Sequence, residues 1–242
     1  MNYRNIIKAQ FIERPNRFIA KCDLDGKIII AHVRNTGRCR ELLVPGVTVY
    51  LEKMDNGKRK TEFSLICVEK GDRLINIDST APNKVFKEAL ENGTLELPDL
   101  DSLTLIKAEK QYLESRFDFY LETGTKKAFV EVKGVTLEES NTALFPDAPT
   151  ERGIKHMKEL VKAVSEGYEA YMVFIVQMKG VSSFSPNIKT HPEFGYELRK
   201  AYEAGVHVLC YDCFIGEASI SLGDYVPTVI YRGRLPSHSI IR

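Results

Sequence analysis

Residues 115–137 read SRFDFYLETGTKKAFVEVKGVTL and predict two antiparallel strands joined by a turn. Two runs rich in Phe, Tyr and Val flank a polar segment, in which Gly124 can adopt the positive φ that a tight turn needs. A turn centred on Gly124 and the threonine after it fixes the register of the hairpin. In that register, Asp118 lies directly opposite Glu131.

Side chains alternate along a strand, so the predicted hairpin has two different faces. One face is apolar and is expected to face the core; it carries Phe117, Phe119, Leu121, Ala128, Val130 and Val132. The other face carries Asp118 and Glu131 among Arg116, Tyr120, Phe129 and Lys133. The sequence therefore places two acids and two cations on the face away from the predicted core.

Directly opposed carboxylates repel each other, and something must offset that repulsion. A proton could neutralise one acid, Arg116 and Lys133 could bridge the pair, or a divalent cation could bind between them. In the third case Lys133, which shares a face with Glu131, would lie beside the cation and could hold an attacking water. The alternative without a functional site is an ordinary half-exposed strand with a weak surface ion pair, and the spacing alone does not exclude it.

The composition limits the class of protein. The chain has 242 residues, five cysteines and no apolar run approaching the roughly 20 residues of a membrane span. An odd number of cysteines and an N-terminus without the apolar core of a signal peptide favour a reducing, cytoplasmic location. Residues 1–80 hold 15 Lys and Arg and 10 Asp and Glu, a net charge of +5 against +1 for the whole chain. This asymmetry is compatible with an anionic partner for the first 80 residues, and the alternative interpretation is chance, since a surplus of five charges is modest. The oligomeric state stays open, a homodimer included.

The first 80 residues are predicted to form a five-stranded barrel of the oligonucleotide-binding (OB) type. Short β-prone runs occur at 9–14, 17–24, 27–34, 47–54 and 61–69, with hairpin turns at Asp25-Gly26 and Asn56-Gly57. The number and spacing of these runs fit such a barrel. We therefore assign residues 1–80 to a first domain with a nucleic-acid-binding fold.

Residues 81–242 are predicted to form a second, α/β domain. Helices are expected at 82–92, 150–166 and 192–204, and strands at 103–110, 170–176 and 206–211, in addition to the hairpin. The strand after the helix at 150–166 should lie parallel to the second hairpin strand, through a right-handed crossover. Ligand sites in such sheets gather at the carboxyl ends of strands, and Lys133 lies near one.

Cationic residues in both domains are candidates for contact with phosphate. In the second domain they are Arg152, Lys155 and His156, which fall in the first turns of the helix that follows Lys133. In the first domain they are Arg14, Arg17, Arg34, Arg38 and Arg40. The alternative interpretation is an ordinary charged surface.

Several segments together resemble the sugar fermentation stimulation protein A family of bacteria and archaea. They are Asn35-Thr-Gly37, Pro45-Gly46, Asn83, Glu88-Ala-Leu90, Arg116-Phe-Asp-Phe119, Glu131-Val-Lys133, Phe145-Pro-Asp-Ala148, Thr150, Arg152-Gly153 and Lys155-His156. The resemblance implies an N-terminal OB barrel and a C-terminal domain like the restriction-endonuclease fold. It also implies DNA as the partner.

In nucleases of that fold an Asp and a Glu-x-Lys form the metal and catalytic centre. The resemblance carries this role to Asp118, Glu131 and Lys133, with Mg²⁺ or Mn²⁺ as the cation and Glu88 as a further candidate ligand. Two hypotheses follow. The protein is a DNA-binding protein of low sequence preference that has a nuclease-like metal site, or it is an active metal-dependent DNA phosphodiesterase.

Overall fold

The computed structural model of the protein describes residues 1–35, 37–54 and 61–230. Its N-terminal part contains six strands: β1 (Ile6–Asn16), β2 (Ile19–Leu24), β3 (Lys27–Val33), β4 (Thr48–Lys53), β5 (Phe63–Lys70) and β6 (Arg73–Asn76). They pair in the order β3-β2-β1-β4-β5-β6, and a parallel pairing of β3 with β5 closes the first five into a barrel. The predicted five-stranded OB barrel is confirmed.

The turn between β2 and β3 has the predicted chemistry. Leu24 pairs with Lys27, so the loop has two residues, and both Asp25 (φ 52°) and Gly26 (φ 80°) adopt positive φ. These are the dihedral angles of a type I′ hairpin turn, which Asp-Gly favours. The second predicted turn, at Asn56-Gly57, lies outside the described residues.

The C-terminal part is a mixed α/β domain, as predicted. Its elements are α1 (Ala81–Glu91), β7 (Leu105–Tyr112), β8 (Ser115–Glu122), β9 (Lys127–Val135), β10 (Leu137–Glu139), β11 (Thr142–Phe145), α2 (Glu151–Ser165), β12 (Glu169–Val176), β13 (Ser183–Pro186), α3 (Pro192–Glu203), β14 (His207–Gly216) and β15 (Ser219–Tyr225). A six-stranded sheet has the order β15-β14-β12-β9-β8-β7, and a small three-stranded sheet joins β10, β11 and β13. As expected, β9 and β12 are parallel and α2 connects them. Within the described residues, no helix has both the length and the apolar surface to cross a membrane.

The hairpin of β8 and β9 has the predicted register. Phe119 pairs with Val130, and the pairing continues to Glu122 and Lys127 at the turn. Counted away from the turn, however, regular pairing ends at Phe119, so Asp118, the next residue in that direction, has no ladder partner. There the Val132 amide donates instead to Asp118 Oδ2, at 2.9 Å. The acids therefore lie where the ladder between β8 and β9 ends.

The two faces of the hairpin differ from the prediction, because both are buried. Tyr120 and Phe129, expected on the polar face, pack in the core beneath α2. Phe117 packs with them, at 5.5 Å from the Phe129 ring, while Phe119 packs beneath α1. The alternation of side chains between the two faces of β8 breaks at Asp118. Glu109, which lies opposite Asp118 on β7, has a left-handed φ of 55°. A sheet covered by helices on both sides has no solvent face, which explains why apolar residues occur on both sides of these strands.

A buried polar network joins the two domains. Gln177, at the end of β12, donates to Asn76 Oδ1 (2.9 Å) and to the Asp78 carbonyl (3.0 Å). Its own amide donates to the Val135 carbonyl, at the end of β9. The barrel is thereby fixed to the strand that carries Glu131 and Lys133.

Candidate metal centre and nucleic-acid surface

Glu131 lies in the middle of β9 and is almost fully buried. Its Oε1 atom lies 2.5 Å from Lys133 Nζ and 2.5 Å from Nδ1 of His156, on α2. Burial by itself raises the pKa of this carboxyl, but His156 and Lys133 outweigh it, and the net pKa is below the usual range. Glu131 is therefore held as a carboxylate, at a place where an unpaired charge would be costly.

Asp118 approaches the same place from β8. Its Oδ1 accepts from Asn83 Nδ2 at 2.7 Å, and its Oδ2 accepts from the Val132 amide at 2.9 Å. Burial and then the charge of Glu131 raise the pKa of Asp118. The two carboxyls are thus shifted in opposite directions. In the absence of a cation, the second negative charge at this place is unfavourable.

A substitution tests this repulsion. Asp118→Asn removes one charge, and both hydrogen bonds can persist if the Asn83 amide reverses. We expect the variant to be more stable than the wild type by up to about 1 kcal/mol at neutral pH in the presence of a chelator. Because the folded-state pKa of Asp118 is raised, the wild type loses stability as pH rises through that pKa, so the gain should vanish at acidic pH. Urea denaturation across pH, with the exposed Asp72→Asn as a control, measures it. A loss of stability at neutral pH would show that Lys133 or another cation already neutralises Asp118.

The chemistry of the donors fits a hard divalent cation. Glu131 Oε2 is buried and has no hydrogen-bond donor among the described residues. Carboxylate oxygens are the ligands that Mg²⁺ and Mn²⁺ prefer, usually one or two carboxylates with waters completing the shell. A cation at Glu131 Oε2 would satisfy that oxygen and remove the repulsion from Asp118. A divalent cation between the acids, the third alternative from the sequence, therefore gives Glu131 Oε2 a partner, which the ion pair with Lys133 does not.

His156 takes a different position from the predicted one. The side chain is buried beside Glu131, so it belongs to the acid cluster and does not lie on an exposed phosphate-binding surface. Arg152 Nε donates to His156 Nε2 at 3.3 Å, and Nδ1 of the same ring lies towards Glu131. Arg152 is exposed, while Lys155 pairs with Glu114 at 3.1 Å.

Glu88 lies away from the two acids. Its carboxylate is 2.5 Å from the N-terminal ammonium of Met1, which also donates to the Ile220 carbonyl in β15. The α1 residue that reaches Asp118 is Asn83, one and a half turns earlier in the helix. Glu88 and Asn83 therefore project from different sides of α1. Glu88 is not a ligand in this arrangement.

Two of the five barrel arginines that were predicted to contact phosphate have internal partners. The Arg14 guanidinium donates to four main-chain carbonyls, those of Arg17, Asn35, Gly37 and Arg38. Arg34 pairs with Asp78 at 3.2 Å and with Glu52 at 3.3 Å, and it is mostly buried. These two arginines hold the barrel loops in place and have little capacity left for a phosphate.

The other three arginines are exposed and lie together. Arg17, Arg38 and Arg40 line a cavity of about 250 Å³, along with the edge of Arg14. The Arg17 guanidinium lies 4.7 Å from the centre of the Phe18 ring, which is 43% exposed. Phe11, by contrast, is core. An exposed aromatic ring beside clustered cations is the arrangement that OB barrels use for single-stranded nucleic acid.

A second cavity lies next to the arginine cavity. It has a volume of about 180 Å³ and lies between the domains, where Gly37 contributes to it as well as to the arginine cavity. Gly134, the residue after Lys133, lines its other side. A Cβ at position 134 would lie 2.5 Å from Gln177 Oε1 and 2.7 Å from Pro82 Cγ, so only glycine lets α1 and Gln177 approach β9 this closely. Gly37 is thus common to the two cavities, and Gly134 places the second cavity next in the chain to Lys133.

Three residues of this region had no functional role in the sequence interpretation: Asn83, Asp78 and Gln177. Asn83 positions Asp118, Asp78 pairs with Arg34, and Gln177 joins the domains. Asp78 and Gln177 follow apolar runs directly, which is a position where a buried polar residue can be suspected. Their partners are distant in sequence and emerge only from the fold.

Comparison with known proteins agrees with this architecture. Residues 12–77 match the family model of the SfsA N-terminal OB domain, and residues 80–219 match the sugar fermentation stimulation protein RE domain. The chain is 58% identical over 233 residues to a sugar fermentation stimulation protein homolog of Desulfitobacterium hafniense (strain DSM 10664 / DCB-2), covering 96% of this chain and all of that protein. A homolog from Clostridium beijerinckii is 54% identical, with 95% of this chain and all of that protein covered.

A solved structure, described as that of Pyrococcus Furiosus SfsA in complex with Ca²⁺, has a TM-score of 0.86 and 32% sequence identity. The similarity covers 95% of this chain and 98% of that one. The family models together span most of the chain, and several relatives exceed half identity over nearly their whole length. The chain therefore belongs to the sugar fermentation stimulation protein family.

Proposed function

We propose that the protein binds DNA with little sequence preference and holds a divalent cation, Mg²⁺ or Mn²⁺, between Asp118 and Glu131. The observation that carries the proposal is the buried Glu131 Oε2, which lacks a donor among the described residues and lies beside a second acid of raised pKa. The relative solved in complex with Ca²⁺ supports divalent-cation binding within the family.

The DNA surface is the exposed cluster of Arg17, Arg38 and Arg40 with the Phe18 ring. Guanidinium groups bind phosphate through paired hydrogen bonds, and an exposed ring offers a platform for a base. None of these contacts reads base edges in a groove, which is why the proposal includes low sequence preference. A strand bound here would continue past Gly37 into the second cavity, whose lining includes Gly134, the residue after Lys133.

The salt dependence of DNA binding tests this surface. Arg17→Ala, Arg38→Ala and Arg40→Ala in the full chain should each lower affinity and reduce the slope of log K against log salt by roughly one unit or less, because each contact releases about one counterion. Fluorescence anisotropy with a labelled single strand and a labelled duplex measures both values. Arg4→Ala, which changes another exposed arginine near the start of the barrel, is the matched control. Unchanged slopes in all three variants would place the DNA surface elsewhere.

A specific observation favours a second function, hydrolysis of the phosphodiester. Lys133 Nζ pairs with Glu131 and its side chain is 16% exposed, so its charge lies between the acids and the solvent from which a phosphate would approach. A divalent cation bound there would lower the pKa of a coordinated water and stabilise charge on phosphorus. Glu131 and Asp118 would hold the cation, His156 would keep Glu131 oriented, and Lys133 would hold the water or the developing charge. Plasmid nicking with Mg²⁺ or Mn²⁺ tests it, as argued in the Discussion.

A further inference from the structure

A second group of potential metal ligands lies at the amino ends of β12 and β14 in the six-stranded sheet. His207 is the first residue of β14, Glu169 is the first residue of β12, and Asp99 lies in the segment between α1 and β7. His207 Nε2 is 3.3 Å from Asp99 Oδ2 and 3.5 Å from Glu169 Oε2, and the three ligand atoms lie within 4.8 Å of one another. Three distant parts of the sequence thus bring one imidazole nitrogen and two carboxylates together.

The two distances from His207 Nε2 match a tetrahedral metal site, and the two carboxylate oxygens lie within 4.8 Å of each other. Donors at about 2.0–2.2 Å from a tetrahedral zinc ion are about 3.3–3.5 Å apart, which is the separation of Nε2 from each carboxylate oxygen here. A hydrogen-bonded ion pair explains the group less well. A single imidazole N–H makes one well-aligned hydrogen bond, whereas two carboxylates lie at similar distances from His207 Nε2.

The neighbouring side chains hold the three ligands in place. The His207 ring stacks on Tyr171, with ring centres 4.7 Å apart and planes 16° apart. The Tyr171 hydroxyl donates to the Pro98 carbonyl and so fixes the residue next to Asp99. Lys126 pairs with Glu169 Oε1 at 2.9 Å, which leaves Oε2 directed at the imidazole. Such second-sphere contacts orient metal ligands in known sites.

This group is separate from the Asp118 and Glu131 centre. Glu169 lies three residues before Met172, which pairs with Glu131, so the two places are about 10 Å apart along the strand. The ligand chemistry also differs. An imidazole with two carboxylates suits Zn²⁺, whereas Mg²⁺ prefers a shell of oxygen ligands alone.

We propose that Asp99, Glu169 and His207 form a zinc-binding site that links the segment between α1 and β7 to the amino ends of β12 and β14. Three protein ligands leave the fourth position to water or to an added ligand. A bound ion would stabilise the folded state and would contribute nothing to the chemistry at Glu131.

The experiment uses the full chain carrying Asp118→Asn and Glu131→Gln, so that the central acids cannot contribute. Titration with ZnCl₂ against a chromophoric zinc chelator should give one ion per chain, and Zn²⁺ should raise the unfolding temperature. Adding His207→Gln should weaken binding by more than about 100-fold, because it removes a direct ligand and exceeds the 10–100-fold cost of losing an outer contact. Asp99→Asn should also weaken binding, whereas Glu96→Gln, an exposed acid of the same segment, should leave it unchanged.

Two results would overturn the proposal. One is no zinc uptake by the doubly substituted chain while circular dichroism shows it folded. The other is equal uptake with and without His207→Gln, which would place the ion elsewhere, for example at a cysteine.

Discussion

Asp78→Ala is expected to destabilise the protein by about 3–5 kcal/mol, the usual cost of removing one partner of a buried ion pair. The Asp78 side chain is fully buried and accepts from Arg34 at 3.2 Å, from the Thr80 amide at 2.9 Å and from the Thr80 hydroxyl at 2.8 Å. Without it, the mostly buried Arg34 keeps, among the described residues, Glu52 as its ionic partner, and two donors of Thr80 lose their acceptor. Urea denaturation should show the loss as a lower midpoint.

Two further variants separate charge from packing in this measurement. Asp78→Asn keeps the shape and part of the hydrogen bonding, so its cost should fall between the wild type and Asp78→Ala. Glu62→Ala removes an acid of similar size from a pair with Lys53 that is exposed on both sides. Exposed pairs contribute less than about 1 kcal/mol, so this control should be near neutral. A cost for Asp78→Ala as small as that of the control would mean that the network does not hold the domains together.

Lys133→Ala is expected to slow Mn²⁺-dependent plasmid nicking by about 10²–10³-fold, if the second function proposed above is correct. Lys133 is the cation beside Glu131, so its loss removes the charge available to a phosphate at the acids but neither carboxylate. Asp118→Ala and Glu131→Gln should reduce nicking to background, because they remove proposed metal ligands. Lys127→Ala, an exposed lysine on the same strand β9, should nick at the wild-type rate.

The outcomes of the nicking assay distinguish phosphodiester hydrolysis from DNA binding alone. Loss of nicking in the three site variants, with DNA affinity retained, supports hydrolysis at these residues. If the wild type does not nick with Mg²⁺ or Mn²⁺ but binds DNA with a steep salt dependence, the protein is a DNA-binding protein with a nuclease-like fold. Equal nicking by the wild type and Asp118→Ala would point to another site or to a contaminating nuclease.

Much of the architecture could be predicted because it depends on local patterns. The Asp25-Gly26 turn, the short β-prone runs of the barrel strands and the helix stripe of α2 each follow from a few neighbouring residues. The register of the β8–β9 hairpin followed from Gly124 and brought Asp118 close to Glu131. The small sheet of β10, β11 and β13 was not predicted, since its strands have three or four residues each.

The partners of the site residues could not be predicted, because they depend on how the domains and helices pack. The sequence suggested that His156 and Arg34 contact phosphate, and both are buried against acids. A charged side chain in a helix turn or a polar loop has the same local pattern whether it faces solvent or an internal carboxylate. Asn83 likewise appears as an ordinary helix residue until α1 packs on β8 and β9. Periodicity identifies the element, and tertiary contacts decide what each polar side chain meets.

The most direct test of the central claim is a calorimetric titration of the chelator-treated protein with Mn²⁺. To exclude the proposed zinc site, the measurement is made in the His207→Gln background. That protein should bind one ion, and adding Glu131→Gln should abolish the heat of binding while circular dichroism and the unfolding midpoint show that the chain stays folded. Binding of Mn²⁺ with unchanged stoichiometry and affinity in the Glu131→Gln variant would contradict the account, because the buried Oε2 atom of Glu131 would then not be a ligand.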